Sequence, residues 1–150
     1  MVSAGMEGRE TVYRTPPLGQ QDLDRNSSLA PSTLLRWMQA ARMRLPWLQQ
    51  GYAAFAAMDP PLPRRLVVAS QMLRLRPGGL ADAAGREAAM RCEVGRVGGS
   101  TVELRYRLLL DGRQVGTGTA VMVVVAGPLG SLRPSPVPEA VRALAAIDGC

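Results

Sequence analysis

The segment QDLDRNSSL at residues 21–29 runs almost directly into STLLRWMQAARMRLPWLQQ at residues 32–50, and the second of these decides the fold. Apolar residues recur in it at spacings of four and three, which is the repeat of one helix face: Leu34, Met38, Ala41, Leu45 and Leu48. Leu35 and Trp37 widen that face. Apolar side chains therefore nearly encircle the predicted helix, which indicates burial on several sides.

Two prolines bound the predicted helix. Pro31 suits its first turn, where a missing N–H costs nothing. Pro46 removes a hydrogen bond to the carbonyl of Arg42, so we expect the helix to kink or end near this residue.

The remaining regular structure is predicted to be extended. Strand patterns occupy residues 10–18, 66–76, 90–94, 102–110 and 114–126. Alternation is clearest in 102–110, and Asp111-Gly112 after it is a tight hairpin signal. Residues 77–85 form a glycine-rich and alanine-rich loop, 128–138 a proline-rich exit, and 139–147 a short C-terminal helix.

These elements predict a two-layer α+β domain, in which an antiparallel sheet curls around one long helix. Hairpins are expected to join the four strands that follow the helix. Residues 1–10 are small and polar and are expected to be a disordered N-terminus. Residues 11–150 then form a single domain.

Composition narrows the class of partner. All 18 basic residues are arginine, and the net charge of +6 suits phosphorylated cofactors, an acidic carrier protein or nucleic acid. The arginines are scattered and the aromatic residues few, which argues against nucleic-acid binding. No signal peptide or membrane span is recognisable, so the expected location is cytoplasmic.

The chain contains no histidine, so acid–base or nucleophilic chemistry falls to a carboxylate, a thiol or a hydroxyl. Cys92 lies in a strand pattern and is expected to be a buried apolar residue, whereas Cys150 is terminal and expected to be exposed. Their spacing fits neither a metal site nor a disulfide framework, and no metal is expected.

Asp22 and Asp24 stand two residues apart before the predicted helix. Both residues fit turn or N-cap positions, where Asp bonds the local backbone. Alternatively, a partly desolvated carboxylate beside a helix N-terminus can attack a carbonyl or activate water. The N–H groups of the helix start would then stabilise the oxyanion. Spacing alone leaves both readings open.

The run from Asp22 to Leu29, followed by the helix that carries Leu35 to Arg42, resembles the signature of hotdog-fold thioesterases of the 4-hydroxybenzoyl-CoA thioesterase type. That family typically reads Asp-x-Asp-x-x-Gly-His, a hydrophobic residue and Asn-Asn, then a helix with a late Ala-Arg. The resemblance covers about residues 11–145. It implies a hotdog fold and hydrolysis of an acyl thioester of coenzyme A or of acyl carrier protein.

The resemblance also implies roles for individual residues. Asp24 falls on the catalytic carboxylate, which acts as nucleophile or as general base, and Asp22 falls on a supporting position. Asn26, Ser27 and Ser28 are further supporting candidates. No cofactor is implied beyond the coenzyme A or phosphopantetheine that belongs to the substrate.

Several positions depart from the family pattern. Ser27-Ser28 replaces Gly-His, and Ala30-Pro31 replaces Asn-Asn. These changes motivate an alternative, a catalytically weak hotdog module that binds acyl groups or serves in an assembly. Hotdog hydratases and dehydratases depend on a catalytic His, which this chain lacks.

The resemblance further implies a homodimer or homotetramer with each site completed by the partner chain. Arginines are expected to meet the cofactor phosphates, because the guanidinium group bonds phosphate through two parallel N–H donors. Arg64, Arg65 and Arg133 flank predicted strand ends, but solvated faces are the commoner fate of such charges.

Overall fold

The structure is a computed structural model. It describes residues 10–15, 17–19, 31–48, 64–76, 85–127, 129–137 and 142.

Residues 46–48 and Arg142 are helical, and the described part of the chain also contains one longer α-helix and six strands. In chain order they are β1 (Glu10–Arg14), α1 (Pro31–Met43), β2 (Arg64–Leu75), β3 (Ala88–Val97), β4 (Thr101–Leu110), β5 (Arg113–Ala126) and β6 (Arg133–Pro134), with a 3-10 turn at Leu129–Ser131 before β6.

The strands form one sheet in the order β1-β3-β4-β5-β2, and β6 pairs with the end of β5. Every pairing is antiparallel, as predicted. The expectation of hairpins between all strands after the helix is wrong for β2, which pairs with β5 and not with β3. The hydrophobic pattern of a strand reports which face is buried but carries no information about which strand lies beside it.

The alternation in β4 is confirmed. Its even-numbered residues are buried and face α1: Val102, Leu104, Tyr106, Leu108 and Leu110. The turn after it is also confirmed, since Asp111 and Gly112 have φ values of 50° and 81°. Positive φ at both positions is the geometry of the tight turn that matches strand twist.

Helix α1 packs one face against the sheet, where it contacts β1 and β3. All five residues of the predicted stripe are buried. The helix is not encircled, however: Trp37 is buried but Leu35 is 46% exposed. An isolated sheet covers one side of a helix, so a residue on the opposite side stays in solvent however apolar it is.

The end of α1 follows from Pro46, as expected. The helix stops at Met43. Leu45 N then donates to the carbonyl of Arg42 at 3.1 Å, a bond that spans three residues where an α-helical bond spans four. That carbonyl therefore has a donor although Pro46 provides none.

Strand β2 is confirmed, but most of its side chains are exposed because it lies at a sheet edge. Strand β6 was not predicted, since two residues that include Pro134 carry no strand signal of their own. Of the predicted C-terminal helix only Arg142 is described, and it is helical. Residues 1–9, 77–84 and Cys150 lie outside the described residues, so the expectations for them and the division at residue 10 stay predictions.

Candidate functional site

The acidic segment expected to carry the chemistry lies outside the described residues. Its candidates are Asp22, Asp24, Asn26, Ser27 and Ser28. The structure describes the chain on either side of them. Before the segment, Leu18 N donates to the carbonyl of Arg86, and Gly85 N donates to the carbonyl of Leu18, each at 2.9 Å. Leu18 is itself buried in the core, so the chain approaches the segment from a fixed point beside the start of β3.

After the segment, α1 begins at Pro31. Its first turn contains no acidic residue. The N–H groups of Ser32, Thr33 and Leu34 therefore add their partial positive charge without an internal carboxylate to offset it. Thr33 is buried, and its hydroxyl accepts a hydrogen bond from Arg36 Nη2 at 3.2 Å. A helix start of this kind favours negative charge on a neighbouring group.

A buried polar cluster lies deeper, between α1 and the sheet. Cys92 and Tyr106 are directly opposite each other on β3 and β4, and Arg42 reaches them from the helix. Burial raises the pKa of the Cys92 thiol to about 12, although the Tyr106 hydroxyl and Arg42 favour the thiolate. Burial, with the neighbouring thiol, also raises the pKa of Tyr106. Both groups therefore stay protonated at neutral pH, and Cys92 has the character of a core residue rather than a nucleophile.

The cluster was missed by the sequence reasoning. Tyr106 has a polar atom on the buried face of β4, which signals that a partner is needed, but nothing in the sequence names Arg42 as that partner. Arg42 lies close enough to influence the pKa values of both Cys92 and Tyr106. Even so, Tyr106 OH and Arg42 Nη1 are buried, and neither has a hydrogen-bond partner of good geometry among the residues that the structure describes.

The three arginines proposed for phosphate contacts do lie at strand ends. Arg64 and Arg133 both pair with Ala126, one from each side, so they share one face of the sheet. One strand lies between them, so the Cα atoms of Arg64 and Arg133 are about 10 Å apart. Arg65 and Arg133 are exposed and Arg64 is half-buried, and Arg65 points to the opposite face because side chains alternate along a strand.

The described residues contain no group of three or more His, Cys, Asp or Glu side chains able to hold a metal ion. Likewise, no helix in the described part of the chain is long and apolar enough to cross a membrane.

Known proteins match this chain in the comparison of structures but not in the comparisons of sequence. No family model matches the sequence, and no curated protein matches it at a significant level. A thioesterase from Thermus thermophilus, complexed with coenzyme A and Zn, superposes with a TM-score of 0.68 at 23% identity, over 97% of this chain and 98% of that one.

Two further thioesterases match over similar lengths. A mutant 4-hydroxybenzoyl CoA thioesterase complexed with 4-hydroxybenzoyl CoA has a TM-score of 0.69 at 11% identity, over 91% of this chain and 98% of that one. A 1,4-dihydroxy-2-naphthoyl-CoA thioesterase from Synechocystis has a TM-score of 0.68 at 12% identity, over 94% and 98%. The protein therefore has the hotdog fold, an α+β architecture shared with these thioesterases, which confirms the predicted fold class.

Proposed function

We propose that the protein is a thioesterase that hydrolyses an acyl thioester of coenzyme A or acyl carrier protein, with Asp24 as the catalytic carboxylate. The observation that carries the proposal is the match, over nearly the whole chain, to a thioesterase complexed with coenzyme A. The Asp22-x-Asp24 motif supports it, because it stands between β1 and α1, directly before the helix start.

Thioester hydrolysis needs an attacking oxygen and stabilisation of the oxyanion. Asp24 would attack the carbonyl carbon itself or remove a proton from an attacking water. The carbon–sulfur bond then breaks and the thiol leaves with a proton. After direct attack by Asp24 the acyl group is left on the carboxylate as an anhydride, and water cleaves that bond to release the acid and restore Asp24. In the general-base route the attacking water itself supplies the second oxygen of the product acid. The N–H groups that open α1 favour charge on the carbonyl oxygen during this step. The buried and protonated state of Cys92 argues against thiol attack.

The candidates for binding the phosphates of coenzyme A are Arg64 and Arg133. These side chains share a face at one end of the sheet, so one nucleotide can meet both. Guanidinium groups bind phosphate oxygens through paired N–H donors. This favours acyl-CoA as the thioester, with a carrier-protein thioester as the second substrate class.

The proposal is tested by thiol release from a panel of thioesters that spans aliphatic and aromatic acyl groups on coenzyme A and on acyl carrier protein. We expect turnover of at least one acyl-CoA. The same acyl group on N-acetylcysteamine, which lacks the nucleotide, is the matched control, and its KM should be higher if Arg64 and Arg133 bind phosphate. A chain that turns over no member of the panel would not be a thioesterase.

A second candidate function is an acyl-binding or assembly module with weak catalysis. The observation that favours it is the replacement of the common Gly-His by Ser27-Ser28 and of Asn-Asn by Ala30-Pro31. Calorimetry distinguishes it from the first proposal, since a module of this kind would bind an acyl-CoA that it does not hydrolyse.

The active unit is proposed to be a homodimer or homotetramer. Strand β2 is a sheet edge of 12 residues on which Val68, Met72 and Leu75 are exposed, whereas the other edge, β1, has only 5 residues. Within the described residues no strand pairs with the outer side of β2, and a long edge with apolar side chains favours pairing with another strand. Helix α1 offers a competing contact surface through Leu35 and Met43, which are also exposed.

Light scattering at micromolar concentration is expected to give at least twice the chain mass of 16.0 kDa. Met72→Lys should shift the protein towards monomer if β2 forms the contact. Leu35→Lys is the matched variant, because the two side chains have similar exposure, 50% and 46%. Dissociation by Leu35→Lys alone would place the contact on the helix, and a monomer mass for the unmodified protein would contradict a shared site.

A further inference from the structure

On the sheet face turned away from α1, three of the arginines that the proposed hydrolysis does not use stand in one row. Arg91 on β3 pairs with Arg107 on β4, Arg107 with Thr117 on β5, and Thr117 with Arg74 on β2. Residues paired across neighbouring strands point to the same face. Arg74, Arg91 and Arg107, all exposed, thus form an arginine row across four strands.

The arginine row is unfavourable for the isolated chain. Arg91 and Arg107 are directly opposite each other, and like charges in that position destabilise a sheet. Within the described residues no carboxylate lies within ion-pair distance of any member of the row. The neighbouring carboxylate of Glu103 pairs instead with Arg105, at 2.8 Å.

Two hollows run beside the arginine row. One, of about 200 Å3, is lined by side chains that include Val12, Arg91 and Arg107. The other, of about 300 Å3, is lined by Met72, Arg74 and Arg107 among others. The row is therefore set along a grooved surface of the sheet, whose lining is mostly charged and polar and includes the apolar side chains of Val12 and Met72.

We propose that the arginine row docks an acidic α-helix of another protein. Strand spacing puts Arg91 and Arg107 about 5 Å apart and Arg74 about 14 Å from Arg91. A helix that lies across the strands presents residues i, i+3 and i+10 on one side at rises of about 4.5 and 15 Å from the first. Carboxylates at those positions would meet all three guanidinium groups, and the two hollows would receive the side chains between them.

The composition of the sheet face that carries the arginine row favours an acidic protein helix over other anionic partners. Glu10, Glu93 and Glu103 lie on the same face and would repel a continuous phosphate backbone, whereas a protein surface can offset them with its own cations. The described residues of this face contain no aromatic side chain on which bases could stack. A second copy of this chain is disfavoured, since two arginine rows would repel each other.

Fluorescence anisotropy with a labelled, helix-forming peptide that carries Glu at i, i+3 and i+10 tests the proposal. The full chain should bind it at low salt and release it as salt rises. The triple variant Arg74→Gln/Arg91→Gln/Arg107→Gln should bind about tenfold more weakly, as expected when three exposed ion pairs are lost. Its melting temperature without peptide should not fall, because the change removes a like-charge pair. A large fall would show that the row has a structural role.

The matched control is Arg36→Gln/Arg44→Gln/Arg113→Gln, which removes three exposed arginines elsewhere. Its net charge therefore equals that of the first triple variant. The control should retain peptide binding. Equal loss in both triple variants, or equal binding of a peptide with the same glutamates scrambled around the helix, would overturn the proposal. It would also be overturned if the unmodified chain bound single-stranded DNA or phosphatidylglycerol vesicles more tightly than the peptide in a manner that depends on the row.

Discussion

Asp24→Asn is expected to lose most thioester hydrolysis while the protein stays folded. The amide has nearly the shape of the carboxylate but neither its charge nor its basicity, so it can neither attack the thioester nor remove a proton from water. Removal of one general base or nucleophile commonly lowers the rate by about 10² or more. Since the chain has no histidine to substitute for this carboxylate, we expect the rate to fall by at least that factor.

The measurement is kcat for the best acyl-CoA of the panel, with thermal unfolding of each variant as the check on folding. Asp22→Asn is the matched control, because it makes the same chemical change two residues earlier at a supporting position. Its effect should be smaller. Unchanged turnover in Asp24→Asn would remove this residue from the mechanism, and equal losses in both variants would show that the pair acts as a unit.

Leu45→Ala is expected to have the largest effect on stability. Leu45 follows α1, is fully buried, and belongs to the core that joins the helix to the sheet. Truncation of a buried leucine costs about 2–5 kcal/mol, because the transfer free energy is lost and a cavity remains. In a domain of this size about 1 kcal/mol shifts the melting temperature by about 2–4 °C, so a fall of several degrees or more should be visible by calorimetry.

The neighbouring residue provides the control. Arg44 is exposed, and its guanidinium carbon lies 5.0 Å from the ring centre of Tyr13. Such a cation–π contact at an exposed site contributes about 0.5–1 kcal/mol, so Arg44→Ala should lower the melting temperature far less. Equally mild effects of the two substitutions would mean that this turn of the chain is not enclosed between helix and sheet.

The local sequence pattern was sufficient to predict α1 and the longer strands. The spacing of Leu34, Met38 and Ala41 predicts the buried face of α1, and Pro46 predicts where it ends. Alternation in β4 predicts which of its side chains are buried, and Asp111-Gly112 predicts the turn. Each of these depends on the geometry of a few consecutive residues, which a sequence displays directly.

The candidate site was predicted from the sequence by a different kind of argument. The absence of histidine restricts the chemistry to carboxylate, thiol or hydroxyl, and burial of Cys92 then argues against the thiol. The choice of Asp24 over Asp22 comes from the resemblance to hotdog thioesterases and not from spacing, because two carboxylates before a helix fit a turn equally well. Both residues lie outside the described part of the chain, so their roles stay predictions.

By itself, the sequence determined α1, the five longer strands, the buried stripe of the helix, the antiparallel class and the cationic charge of the protein. Only the tertiary structure decided that β2 lies beside β5, that Leu35 faces solvent, and that Arg74, Arg91 and Arg107 stand in one row. The physical reason is that periodicity records the side to which a residue points, whereas strand order and register depend on contacts between residues far apart in the chain.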